Sequence, residues 1–541
     1  MVFAGAPACA ALGGEGDDAS EAAATRNATS YVGAAVVEAL TQEHADQRDK
    51  TWGVSSDNTL STGFLLQVPA AEWWGKNQLA IAETCREKDQ NCDPDFLLRT
   101  CSTQSDCEGS SVCTALLATV AHPGDAPRSL CIGHSERYLD QIYGIVTHAK
   151  RQVDVTSLTP PNGRFEAAVR NAITFVTDVT PSIEIRLMFG NYPGEFLLTS
   201  TVLHSLTRDV RSGSPAQISV AAYRKGLLSW NHSKIVAADG EVAMVGGVNM
   251  WSQHYLEKDP VPDMSMRVEG SAASDAQSYA NQIWDFACAD KDPVSTLIST
   301  YPDAKSTCLP SFVAPKKKTG GAAVISVGRL GAIGANSADT ALVALVRAAK
   351  KTLRLSQQDL GPVKKLGVSL NSWPEAVMNA IIGAMGRGVE VDLALSNLSS
   401  TPGGVSPLTT SYSNGWSLAD VAKKFSALAH AHPELLPANT DVDALICDKL
   451  HLANLRSSAA ITWPDGGKLA SHAKLIIVDD RTFYLGSQNL YVANLAEYGF
   501  IVDDQNATRA VLREYYEPMF GLSKSTLASG SDAPSCALQA N

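Results

Sequence analysis

Two stretches decide the fold: residues 232 to 249, HSKIVAADGEVAMVGGVN, and residues 472 to 489, HAKLIIVDDRTFYLGSQN. They share one polar skeleton, and their first residues stand 240 positions apart (472 minus 232). In the first copy, HSKIVAAD and EVAMVGG are strand-like runs around an Asp-Gly turn, which reads as a β-hairpin whose side chains alternate between faces. His232 and Lys234 then share one face, and Asp239 lies at the turn. Asn249 follows Gly246 and Gly247, a pair that lets the backbone approach something closely. His472, Lys474, Asp479, Gly486, Ser487 and Asn489 repeat these offsets. Two ammonium groups and two carboxamides supply donors for a tetrahedral anion, and two imidazoles can divide the work of nucleophile and general acid. A single His-x-Lys is as easily a solvated strand end. Duplication with matching Asp, Gly and Asn offsets argues against that reading.

Outward from the hairpins the two halves echo each other. LDQIYGIVTHAKRQVDVTSL (139–158) and TALVALVRAAKKTLRLSQQDL (340–360) each run from an amphipathic helix into a strand. A second helix and strand follow in each half: FEAAVRNAI (165–173) then IEIRLMFG (183–190), and WPEAVMNAIIGAMGRG (373–388) then VEVDLALS (389–396). The alternation predicts an α/β fold with mostly buried sheets, arranged as two α/β sandwich lobes related by a pseudo-twofold axis. The segment 313–323, VAPKKKTGGAA, reads as the linker between a first lobe (135–312) and a second (324–522), with 523–541 a C-terminal tail. Ahead of the lobes, 31–84 reads as a segment packing on the body, with a helix in YVGAAVVEALTQEHADQ and an apolar run in GFLLQVPAAEWW (63–74).

Six of the eleven cysteines (Cys85, Cys92, Cys101, Cys107, Cys113 and Cys131) crowd into 85–134, which reads as a Cys-rich insertion. Disulfides explain it better than zinc, because paired C-x2-C spacing is absent and no histidine is interleaved before His122. An oxidising, extracellular setting follows. Residues 1–30 lack a charged start and a full apolar core, so they read as a flexible tether or the remnant of a secretory signal. Cys9 in that tether is the odd cysteine. No apolar run reaches the roughly eighteen residues that a spanning helix needs. A formal charge of −12 argues against nucleic acid as the main partner.

The duplicated H-x-K-x4-D-x6-G-[GS]-x-N resembles the signature of the phospholipase D superfamily. The flanks SWNHSKIVAADGEVAMVGGVNMW, QIWDFAC, ICDKLHLANLRSS and SHAKLIIVDDRTFYLGSQNLY resemble the secreted Streptomyces-type enzymes over about residues 31 to 522, the Cys-rich insertion excepted. The resemblance implies the phospholipase D fold and a ping-pong phosphodiesterase that needs no cofactor and no catalytic metal. His232 would be the nucleophile and His472 the general acid and base, while Lys234, Lys474, Asn249 and Asn489 hold the phosphoryl oxygens. Asp239 and Asp479 would brace the motifs. Each histidine needs an acceptor on its far ring nitrogen. Asp263 matches the family's carboxylate after the first motif, and Glu497 stands where the Streptomyces enzymes usually carry Asp, a longer arm that could shift the ring.

On the substrate side, Trp251, Tyr255 and Tyr412 match aromatics that line the headgroup or alcohol pocket, suited to a quaternary ammonium. Gly246, Gly247, Gly486 and Ser487 would let the backbone meet substrate. The long segment 397–416 reads as a flap which, with NYPGEFLL (191–198), touches the lipid surface. Cys288 and Cys308 match a family disulfide; Cys447 lacks its usual partner, leaving Cys536 as the candidate. The expected activity is a secreted, monomeric phospholipase D acting on phospholipid at a membrane or micelle surface, with water or an alcohol as acceptor and no nucleic acid partner. A nuclease or a phospholipid synthase of the same superfamily is the alternative, and a binding protein with a vestigial body is the reading from another class.

Overall fold

A computed structural model describes residues 30–68, 100–103, 105, 112–115, 129–132, 136–192, 197–256, 260–290, 292, 294–302, 308–309, 311–363, 372–398, 400, 412–456 and 469–527. Two large mixed sheets dominate it. In the first, the strands run in the order Thr296–Tyr301, Gln217–Lys225, Glu184–Gly190, Gln152–Thr156, Ile235–Ala238, Val242–Gly246, Asp263–Glu269 and Leu65–Val68. In the second the order is Leu450–Asn454, Glu390–Leu395, Thr352–Gln357, Lys474–Val478, Thr482–Gly486, Glu497–Val502, Ala322–Arg329 and Trp52–Asn58. In both, a parallel run meets the motif hairpin antiparallel, and the strand that follows the motif pairs with the hairpin's second arm. The echo in the sequence is therefore a repeat of topology.

The helices form where apolar residues recur at helical spacing. Glu136–Thr147 and Gly163–Val179 cover the outer face of the first sheet with Leu139, Ile142, Phe165 and Val176. Ser337–Arg347 and Glu375–Gly386 cover the second with Leu342, Leu345 and Ile381. A third core lies between the sheets, where Ile235 and Val245 of one hairpin join Leu475, Leu485 and Phe500 of the other half around the buried helix Ser271–Ala289. Sheets covered on both faces explain strands that are apolar on both sides, such as KLIIV (474–478), buried throughout.

The N-terminal segment does more than pack on this body. Its strand Leu65–Val68 extends the first sheet beside Asp263–Glu269, and Trp52–Asn58 extends the second beside Ala322–Arg329. Its helix Tyr31–His44, capped by Ser30, buries Val32, Val36 and Leu40 against the second lobe. In the Cys-rich stretch, Thr100–Cys101, Val112–Ala115 and Ser129–Ile132 form a small antiparallel sheet of their own. Cys288 and Cys308 are disulfide-bonded. Cys447 is disulfide-bonded too, whereas Cys9, Cys85, Cys92, Cys107, Cys536 and most of the 397–416 segment lie outside the described residues. Among the described residues no helix is long and apolar enough to cross a membrane.

Candidate active site

Each motif hairpin turns through two residues in the left-handed region, Asp239 (φ 56°) with Gly240 (φ 70°), and Asp479 with Asp480 (both φ 53°). Such turns match the twist of the flanking strands, and Asp and Gly tolerate them best. The aspartates use the turn to brace the lobe. Asp239 accepts the backbone N–H groups of Lys150 (2.6 Å), Arg151 (2.9 Å) and Gln152 (2.9 Å). Asp479 does the same for Lys350 (2.9 Å), Lys351 (2.7 Å) and Thr352 (2.8 Å). Both lie at the turn end of the hairpin, so neither reaches the reacting centre.

At the other end of the hairpins the imidazoles are braced across the lobes. Nδ1 of His232 lies 2.9 Å from Oε1 of Glu497, and Nδ1 of His472 lies 2.7 Å from Oδ2 of Asp263. The backbone repeats the exchange. His232 N–H donates to the carbonyl of Ala496 (2.8 Å), the residue before Glu497, and His472 N–H donates to that of Pro262 (2.9 Å), the residue before Asp263. Each carboxylate follows one motif and serves the histidine of the other. An ionised carboxylate can only accept, so Nδ1 carries the proton and Nε2 is left with a lone pair.

The lysines share the histidine faces as alternation requires. Lys234 Nζ donates to the His232 carbonyl at 2.7 Å, and Lys474 Nζ donates to that of His472. Both are buried, with N–H groups to spare. Burial holds both imidazoles well below their ordinary range, and the two lysines add to the effect on each. His472 is lowered further by His232, so the rings sense one another. Burial also lowers Lys234 well below its usual value, and brings Lys474 down to about 8. It pushes Asp263 and Glu497 up to about 7. Crowded, desolvated cations of this kind are relieved by an anion. Asn249 points the same way, because among the described residues its side-chain oxygen and nitrogen both lie buried without a partner, as does the Asn489 oxygen.

Several residues expected to meet substrate have close neighbours within the protein. A methyl group at Gly247 would fall 2.3 Å from Oδ1 of Asp263, and one at Gly246 would fall 2.3 Å from Cα of Ser265. At Gly486 it would meet the Tyr484 hydroxyl at 2.3 Å and Cα of Gly499 at 2.6 Å. What an added methyl group would meet at these glycines is the neighbouring strand and its carboxylate. Ser487 is likewise spent on Tyr498, whose N–H it accepts at 2.9 Å. Tyr255 is fully buried, with its hydroxyl 3.1 Å from Nδ1 of His472 and 3.3 Å from Oδ2 of Asp263. Its hydroxyl joins the bracing of His472. Tyr412 stands edge-on to His472 with ring centroids 5.3 Å apart, and Trp251 donates its indole N–H to Thr159.

Two neighbours of these residues escaped the sequence reading. His254 joins the aromatic positions, with Nδ1 2.6 Å from the Tyr412 hydroxyl and its ring 5.2 Å from that of Trp251. Its place in WSQHY, one turn past the first motif, was the available signal. Arg329 reaches Glu497 from the adjacent strand, and nothing in the local sequence marks it.

The duplicated His-x-Lys hairpins, in which each half braces the other's imidazole, belong to a chain that is similar in sequence to a phospholipase D. A phospholipase D of Streptomyces antibioticus is 29% identical over 509 residues, spanning 84% of this chain and 89% of the relative. No family model matches. Among solved structures, the phosphatidylserine synthase of Haemophilus influenzae is similar at a TM-score of 0.46 and 14% identity, over 72% of this chain and 84% of its own. The phospholipase D family member Nuc of Salmonella typhimurium is similar at a TM-score of 0.20 and 14% identity, over 35% and 87%.

Proposed function

We propose that the chain hydrolyses phosphatidylcholine and related phospholipids to phosphatidic acid and free headgroup through a phosphohistidine, and transfers the phosphatidyl group to alcohols as a side reaction. The cross-lobe bracing of His232 and His472 is the observation that carries this reading. With Nδ1–H held by Glu497, Nε2 of His232 attacks phosphorus. The bond from phosphorus to the headgroup oxygen breaks, and His472 delivers its Nε2 proton to that oxygen. The phosphate anion, once bound among two lysines, restores the proton affinity that burial removed from His472. Neutral His472 then takes a proton from water, the hydroxyl attacks phosphorus, and the bond to His232 breaks. An alcohol in place of water gives transfer.

Lys234, Lys474, Asn249 and Asn489 hold the non-bridging oxygens, and the developing negative charge there is where preorganised donors contribute most. Trp251 and Tyr412 face the headgroup side, where aromatic rings favour a quaternary ammonium. The disulfides and the Cys-rich stretch support an exported, extracellular enzyme. Both motifs on one polypeptide support a monomer. The substrate sits in a membrane or micelle surface. The test is choline release from phosphatidylcholine in EDTA by the wild type, His232→Ala and His472→Ala. Release by the wild type alone is expected. Equal release by all three, or nicking of DNA without lipid turnover, would overturn the reading.

A further inference from the structure

Each imidazole has a carboxylate on Nδ1, but the two carboxylates do not have equivalent surroundings. Glu497 and Asp263 each open the strand that follows a motif, and each is flanked on its far side by an added antiparallel strand. The paired residue beside Asp263 is Val68; the paired residue beside Glu497 is Arg329. Arg329 is 4% exposed, and its Nη1 lies 3.4 Å from Oε2 of Glu497, the oxygen that His232 leaves over. Its Nη1 also donates to the Ala493 carbonyl, and its Nε stands 3.3 Å from Oδ2 of Asp339. Oδ1 of Asp339 in turn accepts from Gln488, next to Asn489, at 2.6 Å. Asp263 instead has a neutral phenol, Tyr255, and its own strand's Met264 N–H at 2.8 Å, and the cations that act on it are the motif lysines Lys474 and Lys234.

We propose that Arg329 is a positioning residue for His232: through Glu497 it keeps that ring in one tautomer and makes the two catalytic histidines unlike. A glutamate has one more bond to fix than an aspartate, and a planar guanidinium on its second oxygen fixes it. The fixed charge also opposes the burial that favours the protonated acid, so Glu497 stays an acceptor for Nδ1–H. His232 then presents a lone pair at Nε2. His472, whose carboxylate shares a hydrogen bond with a phenol, is left for the acid role. The proposal rests on the phosphohistidine mechanism above, but its measurement does not.

The groups that act on Glu497 are His232, Lys234 and Lys474 of the motifs, Arg329 and Asp339 from the flanking strand and helix, the Asn489 N–H, and the phenols Tyr279, Tyr484 and Tyr491. Removing Arg329 removes a cation, so Glu497 takes up its proton at a higher pH and the Nδ1–H tautomer of His232 fails earlier as pH falls. Ring-nitrogen NMR of histidine-labelled protein reads this directly in wild type, Arg329→Met and Arg329→Lys. In Arg329→Met the His232 transition is expected to move up by about one pH unit, a tenfold change in the proton equilibrium, with His472 unmoved and Arg329→Lys in between. Should the methionine variant fail to fold, Arg329→Gln serves, since it removes the same charge. His232 signals unmoved, or both rings moved alike, would overturn the proposal. The acid limb of kcat/KM on a soluble short-chain phosphatidylcholine should move with the ring. Absence of lipid turnover in the wild type would sink the phospholipase reading, while the ring signals still decide the role of Arg329.

Discussion

Asp263 lies in the lobe of His232, yet its carboxylate sits 2.7 Å from the ring of His472. The site is therefore completed by the closure of the lobes, and neither half holds a finished histidine pair. Asp263→Asn tests this most simply. The amide can donate to Nδ1 and so favour the wrong tautomer, as in catalytic triads. Choline release should fall by about 10² to 10⁴ in kcat with KM little changed, and thermal unfolding should move far less than the activity.

The pH dependence of the free enzyme follows from the same groups. As pH falls through about 7, Asp263 and Glu497 gain protons and lose their acceptor role. As pH rises through about 8, Lys474 loses its charge. The kcat/KM profile on monomeric short-chain lipid is expected to be a bell with its maximum between those limbs. In kcat the alkaline limb should lie higher, because the bound phosphate favours the ammonium. A kcat/KM already flat from pH 5 to 9 would contradict this.

Gly247 is needed for what stands beside it. A methyl group there would be 2.3 Å from Oδ1 of Asp263, so either the carboxylate or the strand must move. Misplacement of a catalytic group by about 1 Å costs on the order of 10² in rate, and Gly247→Ala should show that loss in kcat. The same substitution at Gly321, where an added Cβ meets nothing within 4 Å, should leave turnover unchanged.

The hairpin aspartates should behave in the opposite way. Asp239→Ala strands three backbone N–H groups, that of buried Gln152 among them, and places alanine at a positive φ. A loss of about 3 kcal/mol in stability is expected, read as a lower urea midpoint. Folded protein below that midpoint should retain kcat close to the wild type. A variant of unchanged stability with kcat lost would return Asp239 to the reaction itself.

Much of this was legible because the motif is local. His232, Lys234 and Asp239 lie within one hairpin, whose alternation and turn chemistry are written in consecutive residues, and the helix-strand echo is periodic. Pairings between distant segments leave no such mark. The strands Trp52–Asn58 and Leu65–Val68 join different sheets across long separations, and nothing in their sequence says which. The exchange of Asp263 and Glu497 between histidines is of the same kind, since each stands near one motif in sequence and serves the other in space. Arg329 acts through a strand register, Arg329 opposite Glu497, that only the folded sheet supplies. The glycines are of the same kind: sequence shows that something comes close, and only packing shows that Asp263 and Ser265 stand beside Gly247 and Gly246.

The most direct measurement is a rapid quench of the enzyme with labelled short-chain phosphatidylcholine, followed by mapping of the modified residue. Label bound through phosphorus to Nε2 of His232, and absent from His232→Ala, is the expected result. Label on His472, or turnover with no phosphoenzyme at any quench time, would contradict the division of roles between the two imidazoles.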